Sequence, residues 1–93
     1  MVECIVSLDQ PEGEPRYRVW VGQELFAERQ WRWGQDCVLQ EQIGITAPPG
    51  RYAIQVLTVP GSQGTVSASQ WRVVEGAGEV DQAGLLRIRD AHT

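Results

Sequence analysis

The sequence predicts an all-β protein, a single antiparallel β-sandwich domain of about seven strands over residues 1–93. Apolar residues recur mostly at every second position, which is the period of a strand with one buried face. Residues that favour turns separate these runs at intervals close to those of a sandwich. The connections are also too short for the helical crossovers that parallel strands require. An immunoglobulin-like or jelly-roll arrangement therefore fits the pattern better than an α/β fold.

The composition supports one folded core and argues against a nucleic-acid partner. The chain has 93 residues, of which 42% are hydrophobic, and this is enough for a single core. Twelve acidic residues outnumber eight basic residues, all of them arginine, and the formal net charge is −4. Such a chain lacks the clustered positive charge that displaces counterions from phosphates, so we expect no binding to nucleic acids.

The N-terminal residues do not have the pattern of an export signal. Glu3 lies where a signal peptide carries basic residues, and the apolar run ends at Asp9. No apolar stretch approaches the roughly 20 residues that cross a bilayer. We therefore expect cytoplasmic synthesis without a signal peptide, no membrane association, and release by lysis if the protein acts outside the cell.

The first predicted strand runs from Glu3 to Leu8, because its residues alternate between two faces. Cys4, Val6 and Leu8 share one of these faces. Residues 9–15 contain two prolines and a glycine, so they are predicted to form a loop.

A hairpin is predicted next. Its strands are Arg16 to Val21 and Glu24 to Trp33, and Gly22-Gln23 connects them, since glycine at the first central position suits a type II′ turn. A two-residue turn determines the register of the strands. The predicted pairs are Val21 with Glu24, Trp20 with Leu25, Val19 with Phe26 and Arg18 with Ala27.

The remaining elements follow from alternation, proline and glycine. Cys37 to Ile45 is predicted to be a strand in which Glu41 interrupts the apolar face, and a short helix at Val38 to Gln42 is the alternative. The other elements are a turn at 46–50, a central strand with Tyr52, Ile54 and Val56 on one face, a strand at 65–75 with Trp71 in the core, a loose loop at 76–84 and a last strand at 85–89.

Both faces of the predicted hairpin carry large apolar side chains, whereas a sandwich strand pair has only one face on its own core. If Val19, Val21 and Phe26 point inward, the other face is an exposed stripe of tryptophan and arginine. Its members are Arg16, Arg18, Trp20, Arg29, Trp31 and Trp33. Tryptophan and arginine are enriched at binding hot spots, so this stripe is the predicted surface for a protein partner or a glycan. The alternative is a β-bulge between Glu28 and Trp31 that returns Trp31 or Trp33 to the core.

The sequence does not indicate catalytic, metal or cofactor chemistry. His92 is the only histidine and lies beside the C-terminus, where chains usually fray, so a serine or cysteine nucleophile has no well-held base. Cys4 and Cys37 are too few for a disulfide framework or a self-contained zinc site. We expect both to be buried free thiols, with a single bridge between them as the alternative. We therefore expect no metal, no cofactor and no enzymatic activity.

Two segments, Tyr17 to Phe26 (YRVWVGQELF) and Ala47 to Val56 (APPGRYAIQV), carry a resemblance to known sandwich proteins. From Arg16 to about Glu75 the chain resembles the short stand-alone β-sandwich proteins of tailed phages, especially those that infect cyanobacteria. It is also similar to the small carbohydrate-binding modules appended to glycoside hydrolases.

The resemblance to the phage proteins implies a non-enzymatic structural subunit of a virion, in capsid decoration or associated with the tail. Its partners would be protein subunits, either copies of itself in a homo-oligomer or capsid and tail proteins. The resemblance to the carbohydrate modules implies the alternative, glycan binding through Trp20, Trp31 and Trp33. Residues 59–65 lack the Asn or Asp that calcium-dependent modules place there, and no export signal or attached enzyme is present, so the virion component is favoured.

Overall fold

The computed structural model describes residues 1–9, 13–32 and 37–89, and within these ranges the protein is all-β, with no helix. The strands in these ranges are β1 (Val2–Leu8), β2 (Arg16–Val21), β3 (Glu24–Gln30), β4 (Val38–Ile43), β5 (Gly50–Thr58), β6 (Val66–Val73), β7 (Gly78–Val80) and β8 (Leu85–Ile88). They form a three-stranded sheet in the order β4-β1-β6 and a five-stranded sheet in the order β3-β2-β5-β8-β7. All pairs are antiparallel, and the predicted β-sandwich class is confirmed.

The two sheets share one apolar core, which the period-two patterning of the strands produces. Cys4, Val6 and Leu8 are buried along β1, and Ile54 is buried on β5, as the alternation predicts. β5 lies between β2 and β8, so its predicted central position is also confirmed. The buried apolar residues are Val2, Cys4, Val6, Leu8, Tyr17, Val19, Trp31, Ile43, Ile54, Val66, Trp71 and Leu86.

Both sheets pair strands that are distant in the chain. In the three-stranded sheet β1 lies between β4 and β6, and in the five-stranded sheet β2 pairs with β5. These long-range pairs determine which residues share a sheet face.

The structure corrects one predicted element and decides between a strand and a helix for another. Gly78–Val80 forms strand β7, whereas the sequence predicts a loose loop over 76–84. The Asp81 carboxylate closes this hairpin, since it accepts hydrogen bonds from the backbone N–H groups of Ala83 (2.9 Å) and Leu85 (3.0 Å). Residues 38–42 belong to strand β4, so the alternative helix is wrong; pairing with β1 outweighs their helix propensity.

A β-bulge in β6 directs Trp71 into the core. Gln70 and Trp71 together lie opposite the single residue Cys4 of β1. Gln70 has a φ of 54°, in the left-handed region that bulge residues often adopt. Trp71 is consequently buried, as the sequence predicts.

Candidate functional site

The predicted stripe on the β2–β3 hairpin is divided between the two faces of the five-stranded sheet by a β-bulge at Phe26. The two pairs nearest the turn have the predicted register, but Val19 then pairs with Ala27 instead of Phe26. One extra residue reverses the face that every later residue of the strand occupies. The predicted faces are therefore wrong for the part of β3 beyond the bulge.

Trp31 lies in the core and is not part of an exposed stripe. Its side chain is fully buried, and its backbone N–H donates a hydrogen bond to the Pro15 carbonyl at 2.9 Å, just beyond the end of β3. The structure therefore contains a bulge that returns Trp31 to the core, which was the alternative prediction. This bulge lies nearer the turn than predicted. Trp33 lies outside the described residues.

Arg29 also faces inward, so its predicted place on the stripe is wrong. Its Nε donates to Glu41 Oε1 at 2.9 Å and its Nη2 to Glu41 Oε2 at 3.3 Å. Glu41 is only 2% exposed and accepts a third hydrogen bond from the Tyr17 hydroxyl at 2.9 Å. The hydrogen bonds to Glu41 raise the pKa of Arg29 above its usual value. Glu41 interrupts the apolar face of β4 because it joins β4 to both strands of the hairpin.

The two cysteines have different environments, and both are free thiols. Cys4 is buried in the core as predicted, whereas Cys37 is exposed, so its predicted burial is wrong. Cys37 precedes β4 and therefore does not share the inward alternation of that strand. Burial, together with the negative charges of Glu41 and Glu3, raises the pKa of the Cys4 thiol to about 12.

Stability is expected to fall in alkaline solution because of Cys4. An unfolded chain releases the thiol proton near pH 9.0, whereas the folded protein keeps it until about 12. The stability that comes from keeping the Cys4 thiol protonated is therefore complete below pH 9 and is lost as the pH rises toward 12. We expect the free energy of unfolding to fall by up to about 1.4 kcal/mol per pH unit from this thiol, the slope for one proton that the folded protein keeps and the unfolded chain releases.

Urea denaturation between pH 8 and 11 measures this effect. Cys4→Ala should flatten the alkaline decline, while Cys37→Ala, which removes the exposed thiol, should keep the wild-type decline. Equal slopes for the wild type and Cys4→Ala would contradict the assignment. Burial and the hydrogen bond to Glu41 raise the pKa of Tyr17 as well, so part of the decline should remain above pH 10 in both cysteine variants.

The outward side of the five-stranded sheet, here called the outer face, holds three residues of the stripe together with leucines from three strands. Arg16, Arg18 and Trp20 project there from β2, as the sequence predicts for one face of the hairpin. The other outward residues of the sheet are Leu25, Glu28, Gln30, Arg51, Ala53, Gln55, Leu57, Glu79, Leu85 and Arg87. Register alone brings these residues together, and sequence reasoning about the hairpin missed those from β5, β7 and β8.

The apolar part of the outer face is continuous across four strands, β3, β2, β5 and β8. Leu25 lies directly opposite the half-buried Trp20. Leu57 and Ala53 lie diagonally from Trp20 on β5, and Leu85 lies directly opposite Ala53. Direct and diagonal neighbours on one sheet face are within reach of an aromatic side chain. The three leucines are 42–50% exposed, which is high for residues of their size.

The arginines of the outer face have unequal partners. Arg18 forms an ion pair with Glu28, with Nε 2.7 Å from Oε1, and Arg16 donates to the side-chain oxygen of Gln30 at 3.2 Å. Arg51 and Arg87 lie directly opposite each other on β5 and β8. In the part of the chain that the structure describes, no carboxylate is within ion-pair distance of either of them.

The outward side of the three-stranded sheet is different, being polar and internally paired. Glu3 forms an ion pair with Arg72, with Oε1 2.7 Å from Nη2, and its Oε2 accepts a hydrogen bond from Gln42 Nε2 at 3.5 Å. Burial opposes the charge on Glu3, but these hydrogen bonds outweigh it and hold the pKa of Glu3 below its usual value. Serines and glutamines lie around Glu3 on this side of the three-stranded sheet, and Val38 is an exposed apolar residue at the edge of the sheet. The continuous apolar surface is thus on the other sheet.

A groove of about 550 Å³ opens beside the β2–β3 turn, on the inward side of the hairpin. Phe26, Ile45 and Tyr52 are among its lining residues, and the Tyr52 hydroxyl donates to the Pro48 carbonyl at 2.6 Å. Glu24 is the one charged side chain among the described residues that line it. The groove therefore offers mainly apolar contact, with the Glu24 carboxylate and the Tyr52 hydroxyl as the ionisable groups among its described lining residues.

Among residues 1–9, 13–32 and 37–89, no group of three or more His, Cys, Asp or Glu side chains is arranged to hold a metal ion. No helix in the same ranges has the length and apolar character needed to span a membrane. Comparison of the chain with protein-family models, curated proteins and solved structures found no match.

Proposed function

We propose that this protein is a non-enzymatic interaction subunit that packs into a larger protein assembly through the outer face. The observation that carries the proposal is the continuous apolar surface formed by Trp20 and the three leucines at positions 25, 57 and 85. Single exposed apolar residues are common on monomers, whereas a contiguous apolar patch rimmed by polar residues is typical of a contact site.

The residue types at this surface suit protein binding. Trp20 is half-buried in the middle of the patch and offers an aromatic anchor whose orientation is held by its neighbours on both sides. Arg16, Arg18 and the two arginines at 51 and 87 surround the apolar centre. An apolar centre with aromatic residues and arginine, inside a polar rim, is the usual composition of a protein interface.

The sequence resemblance suggests a tailed-phage virion as the assembly, with this protein in capsid decoration or associated with the tail. Such a subunit acts by adding to a surface that other protein subunits form, and an open sheet face suits that role. Glycan binding through Trp20, Trp31 and Trp33 would require Trp31 at the surface, but Trp31 is in the core. Protein binding is therefore the function that the geometry supports best.

Site-directed photo-cross-linking tests the proposal. A photoreactive benzoylphenylalanine in place of Leu57 is expected to form discrete adducts with other protein chains in cells that produce the native assembly, because Leu57 lies in the apolar patch. Val38 is the matched control, since it is an even more exposed apolar residue (63%) on the other sheet. Mass spectrometry of the adducts identifies the partner.

Position 57 should give adducts several times stronger than position 38. Circular dichroism would establish that both substituted proteins are folded. Folded protein that gives no adduct at position 57, or equal adducts at both positions, would contradict the proposed function.

A further inference from the structure

We propose that Arg51 and Arg87 form a carboxylate-binding site on the outer face, which receives Asp or Glu side chains from an acidic partner protein. This inference rests on the proposed function and specifies the chemistry of the partner. The two residues are called the arginine pair below.

No ion pair among the described residues accounts for the position of the arginine pair. The antiparallel register of β5 and β8 places Arg51 directly opposite Arg87, and both side chains are exposed. Directly opposed residues have Cβ atoms about 4.5–5.5 Å apart, and like charges at that separation destabilise a sheet. A chain with eight basic residues thus places two of them where they repel each other.

The neighbouring acidic residues are engaged elsewhere. Glu79 lies opposite Arg87 on β7, but its Oε1 is 3.6 Å from Arg89 Nη1. The Asp81 carboxylate accepts two backbone hydrogen bonds in the β7–β8 turn. The arginine pair therefore retains its donors for a carboxylate from outside the described part of the chain, in contrast to Arg18, Arg29 and Arg72, which have acidic partners at 2.7–2.9 Å.

The surroundings of the arginine pair favour a carboxylate on a short apolar stem. A shallow groove of about 270 Å³ lies beside the pair, and its lining includes Val80 and Leu85 together with Glu79 and Asp81. Arginine presents a planar fork of donors that fits a carboxylate with two parallel hydrogen bonds. The methylene groups of a glutamate side chain would pack against the apolar lining while its carboxylate reaches the guanidinium groups.

The combination of an apolar surface with the arginine pair favours a protein with acidic side chains over other polyanions. The net charge of −4 opposes the long-range attraction of any polyanion, so binding at this site depends on short-range contacts with the arginine pair and with the apolar residues of the outer face. A two-fold axis through the site would bring the arginine pairs of two copies together, while the nearby Glu79 and Asp81 carboxylates contact Arg89 and the backbone of the β7–β8 turn. A different protein with both acidic and apolar side chains complements the whole outer face.

Titration with a poly-L-glutamate peptide, followed by ¹⁵N NMR, tests the site. We expect chemical-shift changes centred on β5 and β8 and about a tenfold loss of affinity in the double variant Arg51→Gln/Arg87→Gln. Arg32→Gln is the matched control, because Arg32 is an exposed arginine that follows β3 at the opposite end of the sheet. Its affinity should equal that of the wild type.

Further measurements separate this inference from the alternatives. The melting temperature of the double variant should not fall, since the substitutions remove a repulsion, so lost binding would not reflect unfolding. No binding, binding that the double variant retains, or an equal loss in Arg32→Gln would overturn the site. Tighter binding of duplex DNA or of phosphatidylserine vesicles than of poly-L-glutamate would overturn its assignment to a protein carboxylate.

Cross-linking at position 57 distinguishes failure of the site from failure of the proposed function. Adducts should weaken several-fold when the double variant is combined with the photoreactive residue. Adducts of unchanged strength would contradict the role of the arginine pair and leave the interaction function supported. Absence of adducts even with the arginine pair intact would contradict the interaction function itself.

Discussion

Replacing Glu41 with alanine is expected to lower the free energy of unfolding by about 2–3 kcal/mol, because the substitution leaves the buried Tyr17 hydroxyl without its acceptor and removes the carboxylate that the partly exposed Arg29 binds. The Tyr17 hydroxyl would remain in the core without its 2.9 Å acceptor, and Arg29 would lose both of its hydrogen bonds. A buried polar group without a partner keeps its full desolvation cost. A domain of this size has a total stability of about 5–15 kcal/mol, so the loss would be large.

Urea denaturation at neutral pH measures the effect, and Glu28→Ala is the matched control. Glu28 also forms an ion pair with an arginine on the same sheet, but its side chain is 42% exposed. Solvent-exposed pairs contribute little, so the control should lose less than about 1 kcal/mol. The double variant Tyr17→Phe/Glu41→Leu should recover part of the loss, since it removes the unpaired hydroxyl as well. A similar small loss in Glu41→Ala and in the control would contradict this account.

Replacing Gly84 with alanine is expected to cost at least about 3 kcal/mol, because the added methyl group would meet the backbone of a neighbouring strand. A Cβ atom on Gly84 would lie 2.5 Å from the Ile54 carbonyl oxygen and 3.2 Å from the Trp71 ring. Gly84 also has a φ of 87°, which residues with a side chain rarely adopt. The backbone cannot move away freely, since the Ile54 N–H donates to the Gly84 carbonyl at 2.8 Å.

Gly61→Ala separates the close contact from the backbone conformation. Gly61 has almost the same φ, 86°, but a Cβ atom there would meet nothing within 4 Å. We expect this control to lose only about 1–2 kcal/mol, the cost of the left-handed conformation itself. Thermal and urea denaturation of both variants provide the comparison. Equal losses would show that the contact with Ile54 and Trp71 is unimportant.

Glu41 and Gly84 also help to hold the strands of the outer face in position. Glu41 connects β4 to the hairpin that carries Trp20 and Leu25, and Gly84 allows β8 to approach β5 at the start of the strand that carries Leu85 and Arg87. Milder substitutions at either position are therefore expected to disturb the outer face through the alignment of its strands.

Much of the fold could be predicted from the sequence because strand patterning is a local property. The alternation of Cys4, Val6 and Leu8 identified β1, and Gly22-Gln23 identified the hairpin turn. β7 could not be predicted in the same way, since three residues give too short a pattern and the hairpin depends on the Asp81 turn.

Only part of the candidate site could be predicted from the sequence, because the bulge at Phe26 changes which face the later residues of β3 occupy. Arg16, Arg18 and Trp20 come before the turn, and local alternation placed them correctly on one face. Arg29 and Trp31 come after the bulge, where one extra residue exchanges the two faces. A bulge leaves little trace in a sequence that has apolar residues on both faces, so no local signal identified it.

The sequence by itself determined the all-β class, the positions of most strands and the acidic, lysine-free composition, because these follow from residue types and their short-range order. Tertiary structure decided which strands are neighbours, and register across β2, β5 and β8 then placed Trp20 near Leu57 and Arg51 opposite Arg87. Residues on separate strands acquire a common surface only when the backbone ladder aligns them. The outer face therefore depends on pairing between distant segments, which no local pattern records.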